Sequence, residues 1–348
     1  MKIESELKFS EIAEVLKQVA PETIELLENR YNILKVVSLL QPIGRRVLST
    51  KVNLTERIIR KEANILKEQG LLDFSLEGMT ITENGLEAIE MLTAFFHDLK
   101  GITDLENELA KKLDIKKVII APSVNEDKDI ALDEIGKKAA AFLKKIIKKE
   151  SIIGLTGGTS VNSVVKAYKT EKVKAKDGVI VPARGGVGSK SEMQANYLVE
   201  KLAEKLDCEY KLLYTPDHLT KEVIKSLKNE PSIRELVEYH EKLDILVFGV
   251  GNALTLAERR SLDEEMIGYI TDSGAVSEAF GYYFDREGNI VHEISTIGIS
   301  LDNVKKVENL IAVAAGEDKS EAITAVCKLS KNMILVTDES VARIILKQ

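Results

Sequence analysis

A chain of 348 residues, 44% hydrophobic and 30% charged, has room for two or three separately cored domains and has the composition of an ordinary soluble protein. No apolar run approaches the roughly 18 residues of a membrane span, the first residues are acidic (Glu4, Glu6), and the only two cysteines, Cys208 and Cys327, lie far apart; membrane, secretory and disulfide-stapled classes are excluded and a cytoplasmic location is expected. A net charge of −7 excludes an all-over cationic coat for nucleic acid, and four scattered histidines make no zinc cluster, so neither cofactor nor metal is expected.

Residues 6–40 carry apolar side chains at helical spacing, from Leu7 and Ile12 through Val15 and Val19, then from Ile24 through Tyr31 and Val37 to Leu40. Pro21 divides them into two helices, and Pro42 with Gly44 stops the second. A short helix around Val47 and Leu48, a turn over 51–54 and a longer helix opened by Thr55 as N-cap follow, which is the helix-turn-helix order. Ile58, Ile59, Ala63 and Leu66 are expected to face inward, with Glu56, Arg57, Arg60, Lys61 and Asn64 outward. Gly70 ends that helix, and the runs 71–75 and 79–81 around Gly78 read as a hairpin wing.

The charge is unevenly spread over this segment. From Arg30 to Gly70, nine cations stand against three carboxylates, a local +6 on an acidic protein. A confined cationic face of this kind fits phosphate contact with DNA. Arg45, Arg46, Thr55, Glu56, Arg57, Arg60 and Lys61 are the expected DNA-facing set. A merely solvated helix face, or a small helical domain that binds protein, is the competing reading.

Residues 83–113 read as further helix broken near Gly101, a connector whose Leu105 and Leu109 serve either self-association or internal packing. From Lys117 the period changes. Seven short apolar runs, at 118–121, 152–155, 179–181, 211–213, 245–250, 310–314 and 333–336, alternate with helical patterns and predict a doubly wound parallel sheet of Rossmann-like α/β type. The expected division is 1–90 as a winged helix-turn-helix, 91–115 as connector and 116–348 as an effector and oligomerisation domain.

Ligands of such sheets sit beyond the carboxyl ends of the strands. After 152–155 comes Thr156-Gly157-Gly158-Thr159-Ser160, a glycine turn into a helix that suits an anion; it is neither a P-loop nor a dinucleotide fingerprint, and a plain strand-to-helix turn competes. After 179–181 comes Pro182-Ala183-Arg184-Gly185-Gly186-Val187-Gly188, with Gln194 on the next helix. Arg259 and Arg260, the stretch Asp272 to Glu278, and Lys319 complete the polar groups near strand ends. Each has a bland reading as turn, cap or solvated charge. Together they fit a small polyanion, with more than one phosphate.

The segments YNILKVVSLLQPIGRR, TERIIRKEANILKEQGLL, TGGTS, PARGGVG, DILVFGVGN, DSGAVSEAFGYYFDREGNIV and AAGEDKSEAI resemble those of the SorC/DeoR family of bacterial sugar-responsive transcription regulators, over nearly the whole chain. The resemblance implies a winged-helix DNA-binding domain joined to an effector domain similar to sugar-phosphate isomerases and deaminases. For members that serve glycolysis it implies repression of a glycolytic operon, relieved by fructose-1,6-bisphosphate. By motif, Gly157, Gly158, Thr159 and Ser160 would cradle one phosphate with help from Lys319. Arg184, Gln194 and Arg259 would serve the phosphates from other loops, and Glu278 the sugar hydroxyls.

The expected partners are double-stranded operator DNA, a phosphorylated sugar and further copies of the chain in a dimer or tetramer, with no membrane. Two alternatives stand beside this one: the same regulator responding to another phosphorylated sugar, and a sugar-phosphate isomerase or deaminase. The enzyme reading leaves the N-terminal module without a role and has no histidine at a glycine-rich strand end.

Overall fold

Pro21 occupies the first turn of the helix Pro21–Leu40, where its missing N–H costs nothing. The helix Arg45–Val52 follows and ends on Asn53 in the left-handed conformation. The chain then turns into the helix Glu56–Glu68, whose cap Thr55 accepts the Ile58 N–H at 3.4 Å. Strands β1 (Leu72–Phe74) and β2 (Met79–Ile81) pair antiparallel as the expected wing. This computed structural model describes residues 15–16, 18–122, 128–170, 175–185, 191–215 and 219–348. The positions Leu7 and Ile12, and Gly186, Val187 and Gly188 of the second glycine-rich loop, lie outside the described residues.

The chain divides into two compact units, residues 1–105 with 122–131, and residues 106–121 with 132–348. In the first, Leu34, Val37, Leu48, Ile59, Leu66 and Leu72 close one core, each such side chain contributing about 1.5–3 kcal/mol on burial. Ile58 departs from the expected pattern: it is 39% exposed. The helical period that turns Ile59, Ala63 and Leu66 inward brings Glu62, not Ile58, to the same face. Glu62 is buried because Arg30 Nε donates to its Oε2 at 2.8 Å. Burial raises the Glu62 pKa, but Arg30 and Lys61 outweigh that and hold the carboxyl below its ordinary range.

Two helices follow the wing, Glu83–Leu99 and Ile102–Leu113. Leu109 is fully buried within the chain, which removes it from the self-association seam considered above.

In the second unit the strands in chain order are β3 (Lys117–Ala121), β4 (Ile152–Leu155), β5 (Val179–Pro182), β6 (Glu209–Tyr210), β7 (Ile245–Gly249) and β8 (Gly251–Asn252). Strands β9 (Ser277–Ala279), β10 (Tyr282–Phe284), β11 (Ile290–Glu293), β12 (Asn309–Val313) and β13 (Met333–Asp338) complete the set. Seven of them form one parallel sheet in the order β3-β13-β12-β7-β4-β5-β6. Every residue of β13, and all but the first of β12, is buried, as a sheet covered on both faces requires. From β4 the chain adds strands on one side, and from β7 it adds them on the other. The direction therefore reverses between β4 and β7, the topological switch point.

Two features differ from the expected pattern. The run 211–213 is not strand, because β6 ends at Tyr210: Asn196 takes both the N–H (3.0 Å) and the carbonyl (2.9 Å) of Leu213 and draws it out of the ladder. A second, antiparallel sheet of order β11-β10-β9-β8 also forms, in a stretch where the sequence reading places no strand.

Beneath the end of β5, His240 is buried and its Nε2–H donates to the Pro182 carbonyl at 2.8 Å. Burial pushes its pKa below the ordinary 6.5. The folded ring stays neutral where the unfolded ring takes up a proton, so its contribution is complete above pH 6.5 and is lost as the pH falls below it. We expect thermal stability of the wild type to fall from pH 6.5 to 5 by up to about 1.4 kcal/mol per pH unit from this group. His240→Gln should flatten that part of a calorimetric pH series; an unchanged slope would show that His240 is not its source.

Candidate functional site

The loop after β4 lies at the switch point. Thr156 N–H donates to the Val247 carbonyl of β7 at 3.1 Å, and its hydroxyl accepts the Gly249 N–H at 3.4 Å. Gly158 caps the helix Thr159–Ala167 with φ 117°, a conformation closed to other residues, and no side chain caps the first-turn N–H groups. Those donors sit at the positive end of the helix, where an anion is favoured. Open space lies where a Gly158 side chain would stand. The Ser160 side chain is buried and Thr159 is half-buried.

The loop is held from behind. Gly158 N–H donates to the Met193 carbonyl at 2.9 Å, and a side chain on Gly157 would come within 2.6 Å of that same oxygen. This brings Gln194 and the helix it caps, Ala195–Leu206, against the glycine turn. At the far end of that second helix, Lys205 donates to the carbonyls of Val165, Lys166 and Tyr168 at 2.7, 2.9 and 2.9 Å. A cation there satisfies the carbonyls at and just beyond the end of the helix that carries the turn and complements its dipole. The two helices are thus pinned together at both ends.

Lys319 belongs to a short 3-10 turn, Glu317–Lys319, after β12, beside β8. Asp338, at the end of β13, fixes this loop by accepting the Gly316 N–H at 2.8 Å.

A buried ionic cluster stands at the end of β5 and on the antiparallel sheet. Arg184 Nη1 reaches Glu278 Oε1 at 3.3 Å, Arg260 Nη2 reaches the same oxygen at 2.8 Å, and Gly281 N–H donates to it at 2.6 Å. Their side chains are only about 5–6% exposed. Tyr283 lies opposite Glu278 in register, and burial together with that carboxylate pushes its hydroxyl up to about 12. The cluster joins two guanidinium groups to one carboxylate, a composition suited to a further anion.

Of the expected residues, the structure brings Gly157, Gly158, Thr159, Ser160 and Gln194 into one group and Arg184 with Glu278 into another. Arg259 is exposed at the end of the helix Ala253–Arg259; it is Arg260 that reaches Glu278. Helical spacing carries the signal: Arg260 stands three and seven residues past the buried Ala257 and Ala253, on their face. His240, Lys205, Asp338 and Tyr283 were not anticipated. Among the described residues no cluster of metal-binding side chains is found, and no helix is long and apolar enough to cross a membrane.

In the first unit, Arg46, Arg57, Arg60 and Lys61 are exposed, with Thr55 and Glu56. Arg45 and Lys67 lie over the Phe74 ring of the wing, at 5.6 and 4.8 Å from its centroid.

A winged helix-turn-helix carried in one chain with an anion-suited, doubly wound sheet defines a ligand-responsive transcription regulator. Residues 26–96 match the CggR N-terminal DNA binding domain and residues 97–347 match a sugar-binding domain. The chain is 37% identical over 338 residues to the central glycolytic genes regulator of Bacillus subtilis strain 168, covering 97% of this chain and 99% of that one. A crystal structure of a SorC family transcriptional regulator from Enterococcus faecalis superposes with a TM-score of 0.64 at 33% identity, over 70% of this chain and 99% of that chain. The full-length sorbitol operon regulator SorC of Klebsiella pneumoniae shares the fold, with a TM-score of 0.66 at 19% identity over 88% of this chain and 94% of its own. The chain belongs to the SorC family of transcription regulators, and its relatives are named regulators, not enzymes.

Gly281 tests the ionic cluster. Its φ is 88°, and a side chain there would stand 2.6 Å from Arg184 Nη1. Gly281→Ala is expected to displace Arg184 from Glu278 and weaken sugar-phosphate binding about ten-fold or more, the worth of one charge-assisted contact, with DNA binding retained. Titration calorimetry showing wild-type affinity would remove Arg184 from the site.

Proposed function

We propose that the chain represses a glycolytic operon from the cytoplasm and leaves its operator when fructose-1,6-bisphosphate binds the second unit. The observation that carries this is the pair of anion-suited groups in the second unit: the Gly157–Ser160 turn at the switch point and the Arg184–Glu278–Arg260 cluster, which joins the end of β5 to the antiparallel sheet. Two such groups fit a sugar bearing two phosphates. The name of the Bacillus subtilis relative, a central glycolytic genes regulator, supports the choice of pathway.

The glycine turn, with Lys319, holds one phosphate through backbone N–H groups and a cation. Arg184, with Gln194, serves the other, and Glu278 accepts from sugar hydroxyls. Arg260 joins this set on its contact with Glu278, while Arg259 contributes from the exposed surface. A phosphate arriving at the cluster competes with Glu278 for the two guanidinium groups, which frees carboxylate oxygen for the sugar.

On the other unit, Arg45, Arg46, Thr55, Arg57, Arg60 and Lys61 meet operator phosphates and Glu56 base edges in the major groove. The protein works as a dimer or tetramer on a two-fold operator. The sugar bisphosphate shifts occupancy by its differential affinity for the DNA-bound and free states, a coupling of about 1–3 kcal/mol in typical cases.

Fluorescence anisotropy with DNA from upstream of the protein's own gene tests both halves at fixed salt. Release by fructose-1,6-bisphosphate at lower concentration than by fructose-6-phosphate or glucose-6-phosphate is expected. Arg184→Ala and Lys319→Ala should each remove most of that response; unchanged sensitivity in either would mean that a single phosphate is held. Arg57→Glu should weaken operator binding and leave effector binding intact, and full operator affinity in that variant would displace the recognition helix.

A further inference from the structure

The first turn of the helix Glu56–Glu68 presents one apolar side chain among charges. Ile58 is 39% exposed, and Glu56, Arg57, Arg60, Lys61 and Asn64 are exposed with it. Its backbone is fixed, since its N–H is taken by the Thr55 cap, and its branched Cβ restricts the side chain to few rotamers. Isoleucine has no helix-propensity advantage over the polar residues around it, and the core of this unit is closed by Ile59, Ala63 and Leu66 without it. What lies ahead of this face is set by the charge around it. Arg57, Arg60 and Lys61 draw it onto a polyanion, and in helix-turn-helix proteins the first turn of the second helix meets base edges in the major groove. The one apolar group displayed there by a base pair is the C5-methyl of thymine.

We propose, resting on the placement of this helix in the major groove, that Ile58 is a specificity-determining residue that packs on a thymine methyl in each operator half-site. Arg57, Arg60 and Lys61 supply affinity through phosphates and Ile58 supplies discrimination. The stiff side chain stands one residue from Arg57 in the first turn of the helix.

The test uses the full-length protein and a duplex that the protein itself selects from random sequence. Each thymine of that duplex is replaced singly by deoxyuridine, which removes the methyl and leaves every hydrogen-bonding edge in place. Wild type is expected to lose about four-fold in affinity at one thymine per half-site, the worth of one buried methyl, and little elsewhere. Ile58→Ala should bind the thymine and deoxyuridine duplexes equally at that position, near the wild-type affinity for the deoxyuridine form. Ile58→Val, which keeps a branched apolar side chain, should retain most of the discrimination and serves where Ile58→Ala binds too weakly to measure.

A thymine scan with no sensitive position, or one left unchanged by Ile58→Ala, overturns the proposal. Arg57→Glu separates the two levels: if it binds operator fully, the recognition helix is misplaced and both readings fall. If it weakens binding while Ile58→Ala leaves the scan unmoved, only the role of Ile58 falls.

Discussion

Strands β4 and β7 lie side by side and the chain departs from them in opposite directions, so nothing in the connectivity fills the gap at their carboxyl ends. The geometry of the glycine turn depends on that constraint. The Thr156 hydroxyl and N–H tie the two strands across the gap, and the glycine turn starts from that tie. A helix that begins there points its first N–H groups outward by geometry alone. The helix Ala195–Leu206 supports it from both ends, through Met193 and Gln194 at one and Lys205 at the other. The glycine turn is thereby preorganised on regular elements, which lowers the entropy that any ligand would cost in ordering it.

The ionic cluster shows a different economy. Glu278 is buried with two arginines on one of its oxygens, a state that would be unfavourable for any of the three alone. The turn that makes it possible is unusual: Phe280 and Gly281 both have positive φ, at 58° and 88°. For a bulky residue such as phenylalanine this conformation costs about 1 kcal/mol or more and persists only where the surroundings impose it. Here Phe280 packs on Phe248 of β7 with ring centroids 4.5 Å apart, and Gly281 gives its N–H to Glu278 and its empty side-chain position to Arg184. The hairpin therefore links the parallel sheet to the cluster. A ligand that draws on Arg184 or Glu278 acts on a turn already held away from its relaxed state.

In the first unit the balance between cation and carboxylate serves DNA. Glu62 would subtract from the cationic face if it pointed outward; paired with Arg30 it instead ties the second helix of the motif to the helix Pro21–Leu40. The exposed side of that helix keeps its arginines and lysine. Arg45 and Lys67 on Phe74 brace the wing against both helices of the motif. Because the units are separately cored, operator contact and effector contact can be altered independently, as a regulator coupled through a conformational equilibrium requires.

The amino-acid sequence by itself determined the elements whose cause is local. Pro21 at a helix start, Thr55 as cap, the two-strand wing and the alternation of apolar runs with helices depend on a few neighbouring residues, and they stand where the sequence places them. The glycine turn was legible for the same reason, since strand, glycines and helix are contiguous. The tertiary structure alone decided which arginine meets Glu278, because Arg184 and Glu278 are 94 residues apart and the choice between Arg259 and Arg260 turns on 100° of helical rotation against a sheet still unpaired in the sequence. It likewise decided that the carboxylate which the helical period brings inward, Glu62, finds its partner in an arginine 32 residues away. The antiparallel sheet β8–β11 belongs with these: strands of two to four residues have no period long enough to read, and they form because the partners on either side are already in place.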